Sequence, residues 1–178
     1  MSMEHKAFVF DYDAFTSEFS STLETALITN NTEKLVSFIE QNIDFLKDPY
    51  EGEPLDNNWQ SMLEIDDPQQ CGDFAITKFY DPQNDVGLGY SWEKIQNILK
   101  EEFGIPWIIF GDSFVANKNY FDPGKMGSYF QSPTLVKQNL SLIKDLLEQK
   151  PQYFSVLEGV IKMLQNALAQ NLGLYVAF

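Results

Sequence analysis

The side chains that could do chemistry here are few in kind. The chain of 178 residues holds one histidine (His5), one cysteine (Cys71), twelve lysines, no arginine and twenty-six carboxylates. Without arginine there is no planar fork for bidentate phosphate or carboxylate recognition. With one His and one Cys there is no Cys/His metal cluster, and a Ser/His/acid triad would have to run through His5. Carboxylates and lysines remain. The sequence-adjacent pairs Asp11/Asp13 and Asp66/Asp67 fall in irregular segments, where neighbours point apart, so neither is read as an acid–base pair. Cys71, in Gln-Gln-Cys-Gly-Asp, has no histidine downstream to activate it and is expected to be a buried, inert thiol. His5 is expected to be solvent-exposed and without a role. No catalytic residue, metal or cofactor is therefore expected.

Three local patterns are sharper. Trp107-Ile-Ile-Phe-Gly-Asp-Ser-Phe114 resembles the first motif block of the GDS(L)/SGNH esterases and lipases, in which the serine is the nucleophile. The resemblance covers about eight residues. It departs from the family in that no histidine follows Ser113, and a serine hydroxyl without a base is a poor nucleophile at neutral pH. Asp81–Glu93 has the composition of a calcium loop, yet counted from Asp81 the glycine falls seventh and the glutamate thirteenth, one late for an EF-hand. A looser divalent-cation site is the alternative in so acidic a region. Gly87-Leu-Gly89 before a helix start looks like a phosphate loop, but Asp81 and Asp85 would repel an anion, so it is read as a turn.

Charge carries more information. The net charge of -14 is unevenly spread: residues 1–93 hold nineteen acids and four lysines, residues 94–178 seven acids and eight lysines. Residues 40–93 alone carry thirteen acids and two lysines. That half should repel nucleic-acid backbones and anionic membranes and attract a basic protein. The competing reading is a solvated acidic face that binds nothing. If the face binds, the expected contacts are Asp48, Tyr50, Glu51, Glu53, Asp56, Trp59, Asp81, Asp85, Tyr90 and Trp92, with the rings as anchors among the carboxylates. Trp59 and Trp92 read equally well as core residues opening two helices.

The elements that must position these groups follow from periodicity. Ala7–Phe10 reads as a buried strand. Residues 14–29 and then 33–46 have helical spacing, with Asn30 and Glu33 as a capping box. Pro49–Asn58 is turn-rich and acidic, Asn58 and Ser91 cap helices opening with Trp59 and Trp92, and Phe74–Tyr80 alternates as a strand. Trp107–Phe110 and Tyr129-Phe130 are further strand candidates. Ser132-Pro133 is an N-cap followed by proline, starting a helix over 133–148. A second helix spans 152–171, and 174–178 is a final strand. The spacing Asp-Pro-x5-Leu-x3-Trp occurs twice, from Asp48 and from Asp81, and would set two acidic loops side by side.

These readings predict a single α+β domain over 1–178, a small, mostly antiparallel sheet packed on amphipathic helices. No segment is apolar enough to span a membrane, Met1–Asp13 is no signal peptide, and a lone Cys asks for no oxidising compartment, so a cytoplasmic location is expected. Bacterial immunity proteins, which neutralise basic toxin nucleases, are similar in profile: small, acidic, single-domain and cytoplasmic. The expectation is thus a non-enzymatic binding protein for a basic partner, of unknown oligomeric state. The opposing expectation is a small hydrolase built from carboxylates and lysines. A concave pocket with convergent, perturbed carboxylates favours the enzyme and a flat acidic patch the binder.

Overall fold

In the computed structural model, which describes residues 3–178, Lys6–Phe10 (β1) is followed by helices Tyr12–Glu18 (α1), Ser20–Thr29 (α2) and Glu33–Gln41 (α3). A turn-rich segment leads to Pro68–Ile76 (α4) and Trp92–Ile98 (α5). A short ribbon, Val115–Ala116 (β2) with Asn119–Tyr120 (β3), precedes Ser128–Gln131 (β4). The hairpin of Pro133–Gln149 (α6) and Phe154–Leu168 (α7) then enters Gly173–Ala177 (β5).

β5 is the central strand of a three-stranded sheet, antiparallel to β1 on one side and to β4 on the other. The register sets Phe8 and Phe130 on either side of Tyr175. Because side chains alternate along a strand, Phe8, Phe10, Phe130 and Tyr175 face one way, into a core with Phe15, Phe19, Leu23, Leu35, Ile39 and Phe74 of α1–α4. Ala7, Leu174 and Val176 face the other way, against Trp92, Ile95, Val136, Leu140, Leu157 and Leu164 of α5–α7. The sheet is thus the shared wall of two cores. Both of its faces are covered, which is why Ala7–Phe10 and Leu174–Ala177 read as unbroken apolar runs. This is a single α+β domain with a small antiparallel sheet.

The C-terminal helices match their sequence signals. The Ser132 hydroxyl accepts the Leu135 N–H at 3.1 Å, and Pro133 fills the first helical position, where no N–H is needed. Val136, Leu140, Ile143 and Leu147 are buried on the expected stripe.

Four expectations are corrected. Phe74–Tyr80 is not a strand: Phe74 to Ile76 end α4, and Thr77–Phe79 is a 3-10 turn. Asp67 accepts the Gln70 N–H at 2.9 Å and Pro68 follows it, the same cap-and-proline start as at Ser132. Every residue from Cys71 to Ile76 is buried, so α4 shows no polar face from which its period could be read. Trp107–Phe110 is likewise a 3-10 turn, Pro106–Ile109, because a four-residue apolar run has no period of its own. The helix expected over 14–29 breaks at Phe19 into α1 and α2. Asn30 does not cap α3; it closes α2 in the left-handed conformation, and Asn31 accepts the Glu33 N–H at 2.8 Å instead.

Candidate functional site

The two Asp-Pro turns do lie together. The Asp48 carboxylate accepts the N–H groups of Tyr50 and Glu51, at 2.7 and 3.2 Å, in a turn that throws the Tyr50 ring outward. Asp81 accepts the Gln83 N–H at 3.1 Å and the Lys47 ammonium at 2.8 Å, and that lysine, first among its causes, holds the carboxyl below its ordinary range. Gly52 packs so tightly on Gln83 that a Cβ there would lie 2.5 Å from its Cγ. Pro49 and Pro82, one from each turn, line the same pocket.

That pocket, about 200 Å³, opens into a cleft of about 1110 Å³; the two share Tyr50, Asp73, Pro123, Gly124 and Phe178. Two kinds of group converge on the cleft. Asp48, Glu64, Asp67, Asp73 and Asp122 line it, against the single lysine Lys125. Tyr50, Met62, Ile65, Tyr120 and Met126, all of them apolar side chains largely open to solvent, line it too.

Asp73 sits where the pocket joins the cleft. It is only 6 % exposed, and no described lysine reaches ion-pair distance of it. Burial pushes its carboxyl up to about 7; the Tyr50 hydroxyl works against that shift, and the Asp48 charge adds to it. Tyr80 and Tyr175 stand beside it with ring centroids 5.2 Å apart, and Phe8 packs on Tyr80 at 4.9 Å. Burial first, and the Asp73 charge second, hold both phenols well above their ordinary values. The Ser128 hydroxyl meets that of Tyr175 at 3.4 Å.

Of the residues expected to meet a partner, Tyr50, Glu51, Glu53, Asp56, Asp85 and Tyr90 are exposed, but only Asp48 and Tyr50 belong to the cleft. Asp85 is structural: its carboxylate accepts the Ala7 and Gly87 N–H groups at 3.0 and 2.8 Å, fastening residues 85–89 along the outer edge of β1. Trp59 and Trp92 are not surface anchors. Trp59 is buried in the core of α1–α4 and Trp92 in that of α5–α7, where its indole N–H donates to the Met3 carbonyl at 2.8 Å. Sequence reasoning missed Asp73, Tyr80 and Tyr175. The available signal was an acid inside the apolar run Cys71–Ile76, and the strand reading of that segment concealed it.

His5 is also corrected: it is fully buried. Nε2 lies 2.7 Å from the Ile109 carbonyl, and Nδ1 accepts the Leu88 N–H at 3.3 Å. Both nitrogens are thus committed, leaving none to activate Ser113, which is exposed. Burial lowers the His5 pKa, so the neutral ring is favoured. Cys71 is buried, and desolvation, then Asp66, pushes its thiol up to about 12, far from a reactive thiolate. Among the described residues no three His, Cys, Asp or Glu side chains converge to hold a metal ion, and no helix is long and apolar enough to cross a membrane. Comparison with protein-family models, with curated proteins and with solved structures gives no match to this chain.

Proposed function

We propose that the cleft binds a basic protein partner, and that the chain is a cytoplasmic, non-enzymatic binding protein of the kind bacterial immunity proteins resemble in profile. The observation that supports this is the meeting of five exposed apolar side chains and five carboxylates, with one lysine, in a single concavity. Apolar groups supply area for a partner segment to bury, and the carboxylates select a cationic one. The same charge disfavours phosphate backbones. The test is capture from a lysate of the source organism at low and high salt, with wild type beside Glu51→Lys/Glu53→Lys/Glu64→Lys. A basic protein held at low salt, and released by salt or by charge reversal, is expected. A partner indifferent to both would refute the reading.

A second reading, a carboxylate-dependent hydrolase, is favoured by one observation: Asp73 lies in a concave cleft with its carboxyl near neutrality, as a general acid requires. Asp48, its neighbour, is already bonded within its own turn and so is poorly placed to act as its partner. Asp73→Asn separates the readings. An enzyme keeps its ligand and loses turnover in Asp73→Asn, whereas a binding protein shows no turnover in either form.

A further inference from the structure

Resting on the reading of the cleft as a site for a basic partner, we propose that the pocket beside Asp73 is a socket for one alkyl-linked organic cation, the ammonium of a lysine or the guanidinium of an arginine on that partner. The first support is size. At about 200 Å³ the pocket admits one side chain and no folded element. The second is the wall: Phe8, Tyr50, Tyr80, Tyr175 and Phe178 line it, and aromatic faces attract a cation while offering an anion nothing. The third is the floor. Asp73 is nine-tenths buried, borders both the pocket and the cleft, and has no described cation within ion-pair distance. Buried carboxylates are normally paired, so this one is a charge site without its partner.

Below neutral pH the empty socket keeps its proton, because an ionised carboxylate there would face Asp48 and the phenols of Tyr50, Tyr80 and Tyr175. Lys6 and Lys125 line the pocket and the cleft respectively, but both are exposed and neither pairs with Asp73. When a cation enters, the Asp73 O–H bond breaks, the proton leaves to solvent, and the carboxylate pairs with the incoming nitrogen. No other bond changes. Binding should therefore strengthen as pH rises through neutrality.

The experiment is an NMR titration of the full chain with n-butylammonium, n-butylguanidinium and the neutral 1-butanol. Both or either cation should shift resonances around Tyr80, Tyr175 and Asp73, and the alcohol should bind at least ~10-fold more weakly. Which cation binds more tightly identifies the side chain. Affinity should rise about 10-fold from pH 6 to pH 8, the change expected of a carboxyl titrating near 7. Asp73→Asn mimics the protonated acid and so keeps the fold; it should lose most of the affinity and all of the pH dependence. Tyr50→Ala, at an exposed ring whose hydroxyl holds the Asp73 carboxyl down, should weaken binding and displace the pH profile upward without abolishing it. Equal binding of the alcohol, a flat pH profile, or equal binding by Asp73→Asn would overturn the socket. Small cations that bind, with no basic protein captured, would uphold the socket and remove the partner reading. A basic protein captured equally by wild type and Asp73→Asn, with no response to the small cations, would do the reverse.

Discussion

Burying a carboxylic acid and an imidazole in one fold makes stability depend on pH in two opposite senses. Asp73 has its folded pKa raised to about 7 from an ordinary 3.8, so between those values the unfolded chain has released a proton that the folded chain still holds. Its contribution is fully present below about pH 4 and is lost as pH rises toward 7, by at most about 4 kcal/mol. Asp73→Asn is thus expected to stabilise the protein at pH 8 and change little at pH 4, read as midpoints of urea unfolding. His5 has its folded pKa lowered by burial, so its contribution is present above its unfolded value near 6.5 and is lost as pH falls through that value toward the folded one. His5→Ala should destabilise by about 3 kcal/mol at pH 7, through the cavity and the two lost main-chain partners, and should flatten the acid side of the profile. Ser113 is expected to stay unlabelled by a fluorophosphonate, because the one imidazole is committed elsewhere.

At the scale of elements, two helices start by the same device. Asp67 caps α4 and Ser132 caps α6, each followed by proline, so Asp67→Ala and Ser132→Ala should each cost about 1 kcal/mol in thermal or denaturant unfolding. Only the second start was legible. At Ser132 the residues that follow alternate buried and exposed positions with helical period, whereas after Asp67 nearly everything is inside. Burial on all sides erases the period that a sequence reading depends on; Trp107–Phe110, whose Trp107 is exposed, misled for a different reason, being too short a run to show any period. The cleft was legible only in part. Its mouth, at Asp48 and Tyr50, lies on a loop whose turn chemistry is written locally. Its floor brings Asp73 of α4 and Tyr175 of β5 together across about a hundred residues, which no local pattern encodes. His5 was misjudged because its partners, Leu88 and Ile109, are equally remote. The edge at residues 85–89 gives a further test: a Cβ at Gly87 would lie 2.4 Å from the His5 carbonyl oxygen, against backbone that cannot yield. Gly87→Ala should release this segment from β1 and raise amide exchange at Ala7, whose N–H the Asp85 carboxylate holds.

Across the whole molecule, charge and layering coincide. The layer built by α1–α4 comes from residues 1–93, nineteen acids against four lysines, while α6 and α7 on the opposite side come from the near-neutral half. Four of the cleft's five carboxylates come from the acidic half, so its potential should draw a cationic partner from a distance and be screened over about 8 Å at physiological salt. Three classes of substitution should then separate. Charge reversal at Glu51, Glu53 or Asp56, exposed around the turn that carries Tyr50, should slow association and reduce its salt dependence while leaving dissociation nearly unchanged. Truncation of Tyr50 or Ile65, exposed apolar side chains of the cleft itself, should instead speed dissociation, since contact area holds a complex once formed. Trp59→Ala should do neither directly. Its ring lies within the core against Phe74, so the cost, about 3–5 kcal/mol, should appear in unfolding, with binding lost only as the fold is lost. Stopped-flow association at several salt concentrations, beside denaturant unfolding of the same variants, resolves all three. Association that ignores salt, or a partner that protects residues 133–168 and not the cleft from amide exchange, would refute the electrostatic argument.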